Sequence, residues 1–237
     1  MKMMLRLHSQ LWRAALLVSA GFFAGLSGAS AATFQYSSYS VTNPQTIDVT
    51  SPVQGSGQMG QIVLHGAGPN NGQTLLAWCL DVYVYLQNSG TYQINPLTTA
   101  GSGGSNPTLT SMQISQIGSL MVNGNALIKT SPDTNVSAAV QLAIWLVEYG
   151  NSFQYTNVSS AVTALALSFE DFVKPGGQWY CPGCTVNLLS LNGSQSLGYG
   201  SVVPLPGALP LFASGLVGLG LLRWRRNRKS AISSSAT

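Results

Sequence analysis

Residues 75–86 show the clearest pattern in the chain, because apolar side chains occupy every even position of this stretch. Successive side chains point to opposite faces of a β-strand, so the alternation predicts a strand with one buried face. Cys79 and Asp81 then lie together on the other face. Residues 33–65 are rich in Thr, Val, Tyr and Gln with interspersed Pro and Gly, which is typical of several short strands.

Helical spacing replaces this alternation in the middle of the chain. Apolar residues three and four positions apart predict a first helix over residues 109–121. The sequence Ser-Pro-Asp-Thr at residues 131–134 predicts the start of a second helix, and Gly150 predicts its end. A third helix is expected over residues 158–173.

Two strand-like runs, residues 185–191 and 197–203, follow the helices. The order of strands, then helices, then strands predicts an α+β fold rather than alternating βαβ units. We therefore expect antiparallel strands from the two ends of the central region, packed with a central group of about three helices.

The first 31 residues have the three parts of a secretory signal peptide. Basic residues precede an apolar run over residues 14–26, and Ala29-Ser30-Ala31 supplies small residues for cleavage. As a helix the apolar run rises only about 20 Å, which is short for a membrane span. We expect cleavage after Ala31 or Ala32, and an uncleaved N-terminal anchor is the alternative.

Residues 205–222 form an uncharged apolar run whose length nearly matches the hydrocarbon core of a membrane. A basic cluster follows over residues 223–229, and such clusters stay on the cytoplasmic side of membrane helices. We expect a transmembrane helix with a cytoplasmic C-terminus, and an exported domain over residues 32–200.

Residues 201–237 resemble the PEP-CTERM sorting signal of Gram-negative bacteria, in which a Pro-x-Pro motif, a membrane helix and an Arg cluster follow one another. The matching residues are Pro204, Pro206, Arg223, Arg225 and Arg226. Leu205 departs from the family's commonest residue, Glu. The resemblance implies recognition by an exosortase-like sorting protease, transient anchoring in the inner membrane, and transfer to the cell surface or extracellular matrix.

The terminal segments carry most of the positive charge. The whole chain has a net charge of +4, but residues 33–203 contain only Lys129 and Lys174 beside all six acidic residues, a net charge of −4. An acidic region without Arg offers no surface for phosphate groups, so nucleic acid is not an expected partner.

The central region has little material for conventional catalysis. It contains one histidine, His65. Cys181 and Cys184 could supply two zinc ligands, but no second pair has suitable spacing, so neither a metal nor a cofactor is expected. Cys181 and Cys184 are expected to form a local disulfide, with a redox pair as the alternative. Cys79 then remains unpaired. It is either a small buried residue or a reactive thiol, and a thiol-protease dyad with His65 is a further alternative.

Two short motifs resemble those of bacterial surface thioester domains. Residues 78–81 (WCLD) match an aromatic-Cys-apolar element, and residues 140–145 (VQLAIW) match a helical apolar-Gln-x-x-apolar-Trp element. The resemblance implies an internal thioester between the thiol of Cys79 and the side chain of Gln141, formed with loss of ammonia. Trp145 is the tryptophan of the second motif.

Neighbouring residues are assigned supporting roles. Trp78, Tyr83 and Trp145 are expected to exclude water and so slow hydrolysis of the thioester. Asp81 either accepts a proton or orients a nucleophile, or it is a solvated strand acid. A rigid strand and helix would hold the sulfur and the amide carbon in near-contact, where proximity substitutes for chemical activation.

The expected function is covalent attachment. An amine or hydroxyl of a surface protein or polysaccharide attacks the Gln141 carbonyl and releases the thiol of Cys79. Such a protein reacts once and is not a turnover enzyme, and its use in adhesion or biofilm cross-linking is an analogy. The main alternative is a non-reactive structural protein of the extracellular matrix with the same sorting tail. A secreted hydrolase or redox protein is a third hypothesis.

Overall fold

The structure is a computed structural model that describes residues 32–202. Its elements, in chain order, are β1 (Ala32–Ser51), β2 (Gly55–Gly66), β3 (Thr74–Cys79), β4 (Gly90–Pro96), α1 (Ser111–Thr130), α2 (Asn135–Tyr149), β5 (Gln154–Thr156), α3 (Ser160–Val173), β6 (Cys184–Ser190) and β7 (Leu197–Val202). The predicted α+β class, with antiparallel strands and three helices, is confirmed.

Several predictions about the ends of the chain concern residues that the structure does not describe. The signal peptide (1–31), the transmembrane helix (205–222) and the basic tail (223–229) all lie outside the described residues. Among residues 32–202, no helix is both long and apolar enough to cross a membrane.

All seven strands join one sheet, in the order β2-β3-β7-β6-β4-β1-β5. β1 is 20 residues long and also pairs with β2, so the first strand of this order is hydrogen-bonded to the sixth. β3 lies between β2 and β7 and is antiparallel to both. Strands β4 and β5 fall between elements where no strand was predicted, and β5 has only three residues, too few for a pattern.

Helix α2 occupies the interior of the molecule. Asp133 accepts a hydrogen bond from the backbone N–H of Asn135 at its start (2.9 Å), and Gly150 ends it with a φ of 56°. Every residue of the helix except Asn135 and Leu146 is buried, as expected for a helix that is apolar around its circumference. It packs against α1, α3 and β2, and these contacts fix the position of Gln141.

Helix α1 does not end near residue 121 but continues to Thr130. The sequence after residue 121 contains Asn123, Gly124 and Asn125, which disfavour helix locally. Packing against α2 outweighs that local preference. The contact is close at Gly124, where a Cβ would lie 2.7 Å from the side chain of Val140. The absence of a side chain there allows α1 and α2 to approach closely.

The strand predicted over residues 75–86 ends at Cys79. Its last pair joins Cys79 to Leu197 of β7, after which the chain leaves the sheet. The carboxylate of Asp81 accepts the backbone N–H of Tyr83 (2.8 Å), which closes a turn that competes with strand pairing. Trp78 (0 % exposed) and Cys79 (4 %) point to opposite faces of β3, and both are buried. The prediction of a single buried face was therefore wrong.

Candidate functional site

Cys79 and Gln141 meet in the interior through two reciprocal hydrogen bonds. The backbone N–H of Cys79 donates to Oε1 of Gln141 at 2.9 Å, and Nε2 of Gln141 donates to the backbone carbonyl of Cys79 at 2.9 Å. Both residues are buried. The side-chain amide of Gln141 is thus held against the residue that carries the thiol, although 62 positions separate the two in sequence.

The thiol itself points into the turn after β3. Sγ of Cys79 donates to the backbone carbonyl of Asp81 at 3.1 Å. Burial raises the pKa of Cys79 well above its ordinary value, the bond to Asp81 offsets part of the increase, and the carboxylates of Glu148 and Asp81 add to it. Cys79 is therefore a neutral thiol, and its chemistry depends on proximity to the amide instead of on ionisation.

Asp81 shapes the site by its backbone as much as by its carboxylate. Its carbonyl accepts the Cys79 thiol and also Nε2 of Gln195, at 2.7 Å, while the carboxylate caps the turn at Tyr83. Asp81 is buried in this turn, so the expectation of a solvated strand acid was wrong. Its side chain orients the turn that receives the thiol.

The two tryptophans of the motifs have different positions. Trp145 lies one turn after Gln141 on α2, and both residues line a cleft that also reaches Cys79. Its indole N–H has no hydrogen-bond partner among the described residues. Trp78 does not line the cleft. Its indole N–H donates to Oδ1 of Asn125 on α1 at 3.0 Å.

Trp78 and Asn125 form part of a buried polar connection behind the site. The same oxygen of Asn125 accepts Nε2 of Gln61 at 2.6 Å, and the backbone N–H of Gln61 donates to Oγ of Ser137 on α2 at 2.8 Å. This connection joins β2, β3, α1 and α2. It fixes β3 immediately before Cys79 relative to the helix that carries Gln141.

His65 is too far from Cys79 to form a catalytic dyad. It pairs in the sheet with Thr74 at the start of β3, and a strand rises about 3.3 Å per residue, so Cys79 lies about 16 Å along the strand. Its Nε2 lies 3.3 Å from Oγ of Ser40. The dyad alternative is therefore wrong. No group of three or more metal-binding side chains occurs in the described part of the chain.

A disulfide joins Cys181, in the loop before β6, to Cys184, the first residue of that strand. Serines of α1 hold this loop, since Ser115 donates to the carbonyl of Cys181 and Ser119 to the carbonyl of Trp179. Neither cysteine lines the cleft at Cys79. The sulfur chemistry of the disulfide is separate from that of the buried thiol.

Comparisons with known proteins give distant structural neighbours. Neither a protein-family model nor a curated protein sequence matches the chain. The N-terminal thioester domain of fibronectin-binding protein SfbI from Streptococcus pyogenes aligns with a TM-score of 0.41 and 13 % identity, over 67 % of this chain and 93 % of that one. The N-terminal thioester domain of a surface protein from Clostridium perfringens aligns with a TM-score of 0.43 and 10 % identity, over 65 % and 96 %.

Three residues near the site were absent from the sequence-based candidates. They are Asn125, Glu148 and Gln195. Asn125 and Gln195 had no sequence signal, because their roles depend on contacts with residues far away in the chain. Glu148 had one, since it lies seven positions after Gln141 and three after Trp145 and so shares their helix face.

Glu148 is a buried acid without a compensating partner. Neither carboxyl oxygen has a hydrogen-bond partner in the described region, and the neighbouring Ser102 hydroxyl donates to the carbonyl of Leu80 instead. Burial, reinforced by the charge of Asp81, raises the pKa of Glu148 well above its ordinary value of 4.5. The folded protein therefore holds the proton of Glu148 more tightly than the unfolded chain does.

This difference predicts a pH dependence of stability. The contribution of Glu148 is fully present below pH 4.5 and is lost as the pH rises toward the folded-state pKa, at about 1.4 kcal/mol per unit of pKa difference. Glu148→Gln removes this loss, so the variant should gain stability over the native protein between pH 5 and pH 8, measured by urea unfolding. Glu170→Gln on the surface of α3 is the control. Equal pH slopes in all three proteins would contradict the prediction.

Proposed function

We propose that Cys79 and Gln141 condense to an internal thioester and that the protein uses this bond to attach covalently to a nucleophile outside the cell. The observation that carries the proposal is the reciprocal pair of 2.9 Å hydrogen bonds, which fixes the Gln141 amide on the Cys79 backbone. The likeness to thioester domains agrees with it but is too distant to carry it.

The first step joins sulfur to carbon. Sγ of Cys79 attacks Cδ of Gln141, the Cδ–Nε2 bond breaks, and the thiol proton leaves with the nitrogen as ammonia. The backbone N–H of Cys79 already donates to Oε1, which is the atom that becomes negatively charged in the tetrahedral intermediate. Cys79 takes no part in the disulfide and is therefore available for this step.

The second step cleaves the thioester. A nucleophile attacks Cδ, the Cδ–Sγ bond breaks, and Cys79 becomes a thiol again while the target stays attached to Gln141. Because the glutamine nitrogen is gone, the reaction cannot repeat. The protein is a single-use electrophile on this account and not a turnover enzyme.

The terminal segments supply the setting of the proposal. A signal peptide, the Pro204 and Pro206 motif and the Arg cluster at residues 223–226 fit export followed by exosortase-like sorting. Held in this way at the cell surface or in the extracellular matrix, a reactive domain serves adhesion or biofilm cross-linking.

Trapping with methylamine tests the proposal. The amine should replace the thioester, adding about 14 Da to the sequence mass at Gln141 and exposing a thiol at Cys79 that alkylating reagents label. The matched control is Gln113, another helical glutamine, which should remain unmodified. A Cys79 thiol that is alkylated fully in the denatured protein without amine treatment, together with an unmodified Gln141, would leave a non-reactive structural protein as the better account.

A further inference from the structure

The cleft above Cys79 has a volume of about 430 Å³. Residues 54–58, around the turn between β1 and β2, form one wall, and residues 82–86, after the turn at Asp81, form the other. Tyr85 is 74 % exposed at the surface, and its hydroxyl reaches the carbonyl of Ser56 at 3.5 Å across the cleft. Cys79 and Gln141 are among the residues that line this cleft, and both are buried.

Charge is absent from the lining of this cleft. None of the two lysines and six acidic residues in the described region is among its lining residues. Eight aliphatic side chains contribute to the lining, together with aromatic rings and side-chain amides that include Tyr39, Tyr83, Tyr85, Gln54, Gln58 and Gln195. Rings offer flat apolar faces, and amides offer both a donor and an acceptor.

We propose that the cleft selects a neutral glycan and that a sugar hydroxyl is the nucleophile that opens the thioester. The inference rests on the proposed thioester and narrows its target to one class. A sugar ring presents apolar C–H faces that pack on tyrosine rings and hydroxyls that pair with glutamine amides. Such a ligand enters the cleft without leaving an unpaired charge.

A lysine side chain meets the opposite situation. Its ordinary pKa is about 10.4, so at neutral pH it is an ammonium ion that loses its hydration on entering the cleft. The two acids that act on Cys79, Asp81 and Glu148, are buried and are not among the lining residues, so neither is placed to pair with an ammonium ion in the cleft. The lysine must shed its proton before entry, whereas a hydroxyl enters in the form in which it reacts.

The attack of a hydroxyl needs no further reagent. The sugar oxygen bonds to Cδ of Gln141, the Cδ–Sγ bond breaks, and the hydroxyl proton passes to the departing sulfur. The products are an ester at Gln141 and the free thiol of Cys79. Because burial raises the pKa of Cys79, the sulfur is a good acceptor for this proton.

The experiment compares two nucleophiles on the full chain. Protein that carries the thioester, established beforehand by its mass, is incubated at pH 7 with a set of neutral hexasaccharides or with Nα-acetyl-lysine amide at equal concentration. We expect the sugar adduct at Gln141 to form faster and to be released by hydroxylamine, as an ester is. Faster addition of the lysine derivative, or a persistent thioester that reacts with none of the sugars, would overturn the inference. A protein that never shows the thioester mass would instead refute the proposed function.

A pair of variants tests whether the cleft is responsible. Tyr85→Ala removes an exposed ring of the cleft wall and should lower the ratio of sugar to methylamine reaction rates by about fivefold, the worth of roughly one aromatic contact. Tyr180→Ala removes an exposed tyrosine outside the cleft and should leave the ratio unchanged. An unchanged ratio in Tyr85→Ala would show that this wall does not recognise the sugar.

Discussion

The Cys79→Ala protein is expected to attach to no nucleophile at all, while it keeps its fold. Loss of the sulfur removes one end of the thioester, so amine or sugar incorporation at Gln141 should fall by more than about 100-fold, to the background of unactivated amides. The two hydrogen bonds to Gln141 use the backbone of Cys79, so alanine retains both. Removal of one small buried side chain should cost about 1 kcal/mol of stability.

A second cysteine variant separates this effect from general sulfur chemistry. Replacing both Cys181 and Cys184 by alanine removes the disulfide but leaves the cleft intact. A loop this short gives a small gain in stability, so the variant should fold and should still incorporate methylamine at Gln141. If the two alanine replacements abolished incorporation and Cys79→Ala did not, the reactive sulfur would have been misassigned.

Trp78→Ala is expected to have the largest effect on stability. The side chain is fully buried between β3 and α1, and its loss leaves a cavity as well as an unpaired lone pair on Asn125. Truncation of a buried tryptophan costs about 3–5 kcal/mol in the free energy of unfolding. Urea unfolding of the full chain, with methylamine incorporation as a second readout, measures the loss.

Trp78→Phe is the matched control for this variant. Phenylalanine fills most of the volume but cannot donate to Asn125, so the loss should fall to about 1–2 kcal/mol, the range for a lost hydrogen bond with a smaller cavity. A loss below about 1 kcal/mol for Trp78→Ala would contradict the view that this side chain fixes β3 behind the site.

The sequence predicted α2 well because local and tertiary preferences agree there. Its apolar residues, its Pro-Asp start and Gly150 all favour the helix that the structure contains. Residues 80–86 were predicted less well, because the alternating pattern continues after the strand has ended. The turn at Asp81 is held by Gln195, more than a hundred residues later, and no local pattern reports that contact.

The candidate pair came from two motifs and one unpaired cysteine, and the structure brings Cys79 and Gln141 together. The residues around the pair were harder to foresee. Asn125 looks like a helix breaker in sequence, yet it receives two buried donors in the fold. Glu148 looks like an ordinary acid at the end of a helix, and only its burial reveals an uncompensated carboxyl group beside the site.

The intact mass of the native full chain tests the central claim most directly. It is measured without reduction beside Cys79→Ala, which undergoes the same processing and carries the same disulfide. We predict a native mass about 17 Da below the value calculated from the sequence once the disulfide is allowed for, and no such deficit in the variant. A native protein of full mass, with Cys79 free, would contradict the thioester.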